Sequence, residues 1–80
     1  MLSRSQLLAT SGEFDIESIQ FLDLADSGIV DISALEACSN LIRLDLRNNE
    51  VSVVKPLRKL KSLAFLNLSG NRITNIGENS

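Results

Sequence analysis

The chain repeats itself. Laid over itself at a shift of 22 residues, it holds apolar register from residue 19 onward without a gap. Residues 19–40 read IQFLDLADSGIVDISALEACSN, residues 41–62 read LIRLDLRNNEVSVVKPLRKLKS, and residues 63–80 read LAFLNLSGNRITNIGENS. The apolar columns are Ile19/Leu41/Leu63, Leu22/Leu44/Leu66, Leu24/Leu46/Leu68, Ile29/Val51/Ile73, Ile32/Val54/Ile76, Leu35/Leu57 and Cys38/Leu60. A unit this short cannot bury its apolar face alone, so it must stack on its neighbours.

The opening of each unit alternates at period two, which predicts strands at about 21–25, 43–47 and 65–69, each with one face inward. The return path is short, so successive strands lie side by side in parallel. On the way back, apolar residues fall three apart, as in Val54–Leu60, which suits a 3₁₀ turn or a short α-helix on the outer side. Pro56 fits the start of such a turn, where its missing N–H is not needed.

The resulting pattern, LxxLxLxxNxIxxIxxLxxLxx, resembles the leucine-rich repeat family. The unit length is similar to that of the short 22-residue class found in regulators of type-1 phosphatase and in axonemal dynein light chains. The resemblance covers residues 19–80 and implies an α/β solenoid: a curved parallel sheet with short 3₁₀ or α segments on the convex side. Two repeats are complete (19–40 and 41–62) and a third is partial (63–80). The column Ser27/Asn49/Asn71 sits where the chain turns inward and backbone groups lose ladder partners. Asn both donates and accepts, so a ladder of Asn satisfies those groups. At Ser27 a hydroxyl is expected to do part of this work, with Gly28 supplying a tight backbone.

Residues 1–18 lie outside the register and are read as an N-terminal helical cap. Ser3 or Ser5 starts a short helix running to about Thr10, with Leu7 and Leu8 turned toward the first repeat, and Ser11-Gly12 ends it. Phe14 and Ile16 alternate with Glu13, Asp15 and Glu17, which predicts an extended edge piece with both apolar residues covering the open end of the core. At the other end the third repeat halts at Ile76-Gly77-Glu78-Asn79-Ser80 without the outer segment and polar cap of a terminal repeat, so the apolar columns there are expected to have one side bare. Three expectations follow from this: a fragment of a longer protein, an end that pairs with a second copy or a partner, or a marginally stable monomer.

Function is narrowed first by exclusion. The chain has no His and a single Cys, which removes imidazole chemistry, an intramolecular disulfide and Cys-based zinc clusters. Cys38 stands in a leucine column and is read as a small buried hydrophobe. No apolar stretch is long enough to span a bilayer, and the start of the chain lacks the apolar run of a signal peptide, so the expected location is cytoplasmic or nuclear. The net charge of −2 makes no case for nucleic acid. Charge is nevertheless uneven: residues 1–40 carry seven acids and one base, residues 41–80 three acids and seven bases. The outer cluster Lys55, Arg58, Lys59 and Lys61 reads as solvated surface.

In LxxLxL the residues between the leucines point away from the core and form the concave face, where solenoids offer their extended binding surface. Three columns lie there: Phe21/Arg43/Phe65, Asp23/Asp45/Asn67 and Ala25/Arg47/Ser69. Large apolar rings beside Arg on an open sheet have the composition of an interface hot spot. Phe21, Asp23, Arg43, Asp45, Arg47, Phe65 and Asn67 are therefore the candidate partner-binding residues. Two readings of them are compatible: an aromatic–cationic clamp with Asp23 and Asp45 taking basic groups, or a ladder in which Arg43 stacks between two rings and the arginines neutralise Asp45. An open face has no pocket to desolvate a carboxylate and no nucleophile–base pair, so no catalytic residue, metal site or cofactor is assigned. The expectation is a non-catalytic protein-interaction module, a scaffold. The alternative is a structural assembly unit that self-associates or docks through its C-terminal end.

Overall fold

In the computed structural model, which describes residues 2–74, the elements run as follows. Helix α1 (Arg4–Ser11) is followed by a 3₁₀ turn at Ile16–Ser18 and strand β1 (Phe21–Asp23). A 3₁₀ turn at Ser33–Ala37 leads to β2 (Arg43–Asp45), and another at Lys55–Lys59 leads to β3 (Phe65–Asn67). The strands form one parallel sheet in the order β1-β2-β3. Phe21 pairs with Arg43 and Arg43 with Phe65, so the register of the sheet is the 22-residue shift of the sequence. The two later 3₁₀ turns pack on one another just as their strands do. Between the two layers lies an aliphatic core that includes Ile19, Leu22, Ile32, Leu35, Leu41, Leu44, Leu46 and Val51.

The strands are two residues shorter than their alternation predicts, and two side chains account for it. In a continuing parallel ladder, Leu24 would donate to Asp45 and accept from Arg47. The first bond is made, at 2.8 Å, and the second is not. The Arg47 N–H instead donates to Oδ1 of Asp45 (3.1 Å), while the Leu24 carbonyl accepts from Nδ2 of Asn49 (2.9 Å). The next pair repeats the exchange: the Ser69 N–H goes to Oδ1 of Asn67 (3.0 Å) and the Leu46 carbonyl accepts from Nδ2 of Asn71 (2.8 Å). Each strand is thus stopped by an Asx turn on one side and an Asn amide on the other.

The Asn column works as expected, with one correction at its first member. Asn49 is buried and saturated. Its Oδ1 accepts the N–H groups of Ser27 and Ile29 (both 3.0 Å), and its Nδ2 donates to the carbonyls of Leu24 and Leu46 (both 2.9 Å). The Ser27 hydroxyl, in contrast, only donates back to the Ala25 carbonyl and reaches no other strand. Beside an edge strand there is no earlier repeat to clamp, so Ser suffices. A second column became visible only in the backbone. Asp26, Asn48 and Gly70 all adopt the left-handed conformation, with φ of 56°, 58° and 72°. These are the residue types that tolerate it, and a Cβ on Gly70 would collide with the Asn48 side chain.

The cap forms as a helix with both ends satisfied. The Ser3 hydroxyl accepts from the Gln6 N–H, the Gln6 side chain accepts from the Ser3 N–H, and Gly12 closes the helix in the left-handed conformation. Leu7 and Leu2 are buried against the first repeat and Leu8 partly so. The edge expectation fails for one residue. The 3₁₀ turn at Ile16–Ser18 breaks the alternation, so Ile16 turns into the core while Phe14 stands 96% exposed. The cover predicted for Phe14 is supplied by Leu2, Leu7 and Ile16.

Burial falls at the third repeat, as equivalent leucines register: Leu22 is 2% exposed, Leu44 0% and Leu66 39%. The middle strand has a repeat on either side, whereas β3 has one neighbour among the described residues. Ile76 and the bare end expected beyond it lie outside those residues.

Candidate functional site

Alternation puts Leu22, Leu44 and Leu66 on the core side and their neighbours on the open face. Pairing then aligns those neighbours into rows across the strands: Phe21, Arg43 and Phe65 in one, Asp23, Asp45 and Asn67 in the other. Strand spacing places the backbones of Phe21 and Phe65 about 10 Å apart with Arg43 between them. Arg47 stands one turn beyond, past the end of β2.

The two rows have different occupations. In the first, the Arg43 guanidinium lies over the Phe65 ring, 4.8 Å from its centroid. It leans to one side rather than stacking between two rings, and Phe21 is left 61% exposed. In the second, each side chain is engaged with its own backbone. Oδ1 of Asp23 accepts the Ala25 N–H (3.1 Å), Asp45 takes that of Arg47, and Asn67 takes both the N–H and the hydroxyl of Ser69. Asp45 also pairs through Oδ2 with the Arg47 guanidinium. The like-charge neighbours Asp23 and Asp45 are therefore compensated on the Asp45 side, by Arg47. Asp45 and Asn67 thus hold the ends of the ladder. The signal for this was available: an Asx side chain two residues before an N–H that the ladder abandons.

Of these residues Phe21, Asp23, Arg43, Asp45 and Phe65 line a groove of about 460 Å³ over the strands, and Arg47 and Asn67 lie outside its lining. One wall was not foreseen from the sequence. Thr10 and Ser11, the last residues of α1, close the groove on the β1 side because α1 packs beside that strand. The sequence located the helix but carried no sign of which side of the sheet its end would reach. A further feature of composition is placed by the structure: the chain has three aromatic residues, all Phe, and all three stand exposed. Among the described residues the buried core is aliphatic apart from Cys38 and Asn49.

Comparison with known proteins agrees with this geometry. The family model "Leucine Rich repeats (2 copies)" matches residues 39–80. Human leucine-rich repeat-containing protein 23 is 41% identical over 56 residues, which is 69% of this chain and 16% of that protein. Rat leucine-rich repeat-containing G-protein coupled receptor 5 is 34% identical over 67 residues, 81% of this chain and 7% of that protein. The chain thus spans a small part of the relatives it matches. Among solved structures, internalin C2 of Listeria monocytogenes superposes with a TM-score of 0.78 at 25% identity, over 88% of this chain and 35% of that one.

Proposed function

Since this chain belongs to the leucine-rich repeat family, whose members generally mediate protein–protein interaction, we propose that it binds a protein partner on its concave sheet face. One observation carries this reading. Two of the three aromatic residues stand exposed on that face, with an Arg between them, where they add nothing to the core. Exposed rings beside Arg are the residue types that dominate interface energy, and a rigid three-stranded face presents them with little ordering cost on binding. The face acts by contact alone, without catalysis. Membership of the 22-residue repeat class is part of the proposal, and the 22-residue register of the strand pairs supports it.

The test is differential capture. Wild type, a Phe21→Ala/Phe65→Ala double variant and a convex-face Lys59→Glu control are compared as baits in a lysate of the expressing cells. Bound proteins are identified by mass spectrometry, and bait folding is checked by circular dichroism. The expected result is a protein retained by wild type and control and lost by the double variant. A partner retained equally by the double variant overturns the reading.

A further inference from the structure

The two rings of the concave face are not equivalent. Phe65 already holds a cation, Arg43, over its face. Among the described residues Phe21 has none, and it lies in the groove with Asp23, two residues further along the same face of β1. Asp23 spends Oδ1 on the Ala25 N–H, and among the described residues Oδ2 has neither an ion-pair nor a hydrogen-bond partner, unlike Oδ2 of Asp45. The wall beside them is the C-terminal end of α1, the negative end of a helix dipole, with no basic residue in its last turn. The surrounding half of the chain is acidic, residues 1–40 carrying seven acids against one base.

We infer that the Phe21 end of the groove is a seat for a lysine or arginine side chain of the protein partner, an inference that rests on the concave-face reading above. The ring of Phe21 takes the methylene stem and the face of the cation, Oδ2 of Asp23 takes an N–H, and the helix end adds its carbonyl field. Arg43, leaning on Phe65, marks the far limit of the seat. It keeps a second cation on the Asp23 side of the groove, so the two ends of one groove differ in what they accept.

The probe is N-acetyl-arginine amide, with N-acetyl-glutamate amide as its counterpart, titrated into the ¹⁵N-labelled 80-residue chain and followed by NMR. The arginine probe is expected to move the amides of Phe21, Asp23 and Ala25 saturably, together with those of Thr10 and Ser11, while the glutamate probe leaves them in place. Asp23→Asn is expected to weaken the arginine response by about five-fold with the spectrum otherwise retained, and Phe21→Leu to weaken it similarly. Phe21→Leu keeps an apolar side chain there, so loss of the response reports the ring. A response to glutamate, a response to arginine indifferent to Asp23→Asn, or no saturable response overturns the inference. Shifts at these amides on simple dilution of the protein also overturn it, by assigning the seat to a second copy of the chain. All of these outcomes can occur while differential capture still succeeds, so this inference and the concave-face reading fail separately.

Discussion

Asn49 is the residue on which most of the backbone depends. It fills both acceptor sites of its amide oxygen and both donor hydrogens, linking the first repeat to the second from inside the core. Truncation leaves the N–H groups of Ser27 and Ile29 and the carbonyl of Leu24 without these partners, while the Leu46 carbonyl keeps Asn71. Each lost partner costs about 1–3 kcal/mol where it is buried, though not additively. Asn71 has the same role but is only partly buried, and among the described residues its oxygen receives only Val51. Asn49→Ala is therefore expected to cost about 3 kcal/mol and Asn71→Ala about 1–2. A chain of this size holds roughly 3–5 kcal/mol in all, so urea denaturation should find Asn49→Ala largely unfolded and Asn71→Ala folded with a lower midpoint. An equal loss in the two variants would mean that burial does not set the worth of the clamp. At this scale the sequence was legible for Asn49 and Asn71, because an amide at a fixed spacing has one structural use. It was less so for Asp45 and Asn67. An Asp on an open face looks like a ligand for a partner until its oxygen is found holding the backbone two residues on.

At the scale of elements, strands of near-identical sequence differ in what surrounds them. Leu44 in β2 is enclosed by repeats on both sides, while Leu66 in β3 is partly open. Leu44→Ala should cost about 3 kcal/mol and Leu66→Ala about 1, because a cavity is charged for only where the surroundings are complete. Thermal unfolding of the two variants checks this, and equal losses would require β3 to be covered in solution. The existence, order and pairing of the strands were plain from the 22-residue register. Their ends were not, since hydrophobic alternation runs on past the point where side chains take over the hydrogen bonds. The N-terminal piece misled in the opposite way. Glu13–Glu17 alternates like a strand, but the 3₁₀ turn at Ile16–Ser18 needs only three residues and rotates Phe14 out to solvent. The turn at Ser33–Ala37 was expected, while its anchor was not. Oδ1 of Asp31 accepts the N–H (2.8 Å) and hydroxyl (2.7 Å) of Ser33, bonds that hold its carboxyl below the usual carboxylate range.

For the whole molecule, the same gradient orders local opening. The first two repeats share the cap and the saturated Asn49, and they enclose Cys38, whose thiol burial pushes above its ordinary pKa. Both its inaccessibility and its raised pKa keep it from forming the reactive thiolate near neutrality. In a native-state experiment, backbone amides of β3 should exchange before those of β2. Cys38 should react with a thiol reagent only as slowly as β2 exchanges. Thiol labelling as fast as β3 exchange would mean that the repeats open as a single unit. The architecture at this scale was the most legible of all, because repetition transmits through every level of the fold. The side of the sheet reached by the end of α1 was invisible, since no local pattern encodes where a cap's last residues lie in space.

The clamp of each Asn reaches a fixed distance back. Asn49 engages Ser27, Ile29 and Leu24, which lie 22, 20 and 25 positions earlier, and Asn71 engages Val51 and Leu46, 20 and 25 positions earlier. Every bond in this set ends in the unit immediately before. A duplicated 22-residue segment spliced between Ser62 and Leu63 would therefore find every clamp waiting and return every old one. A splice of 21 or 23 would turn each following leucine to the wrong face and leave each Asn one position adrift. The molecule is indifferent to how many units it holds and intolerant of any change in their length, so chains of this kind have whole-unit duplication and deletion open to them as a way to change size.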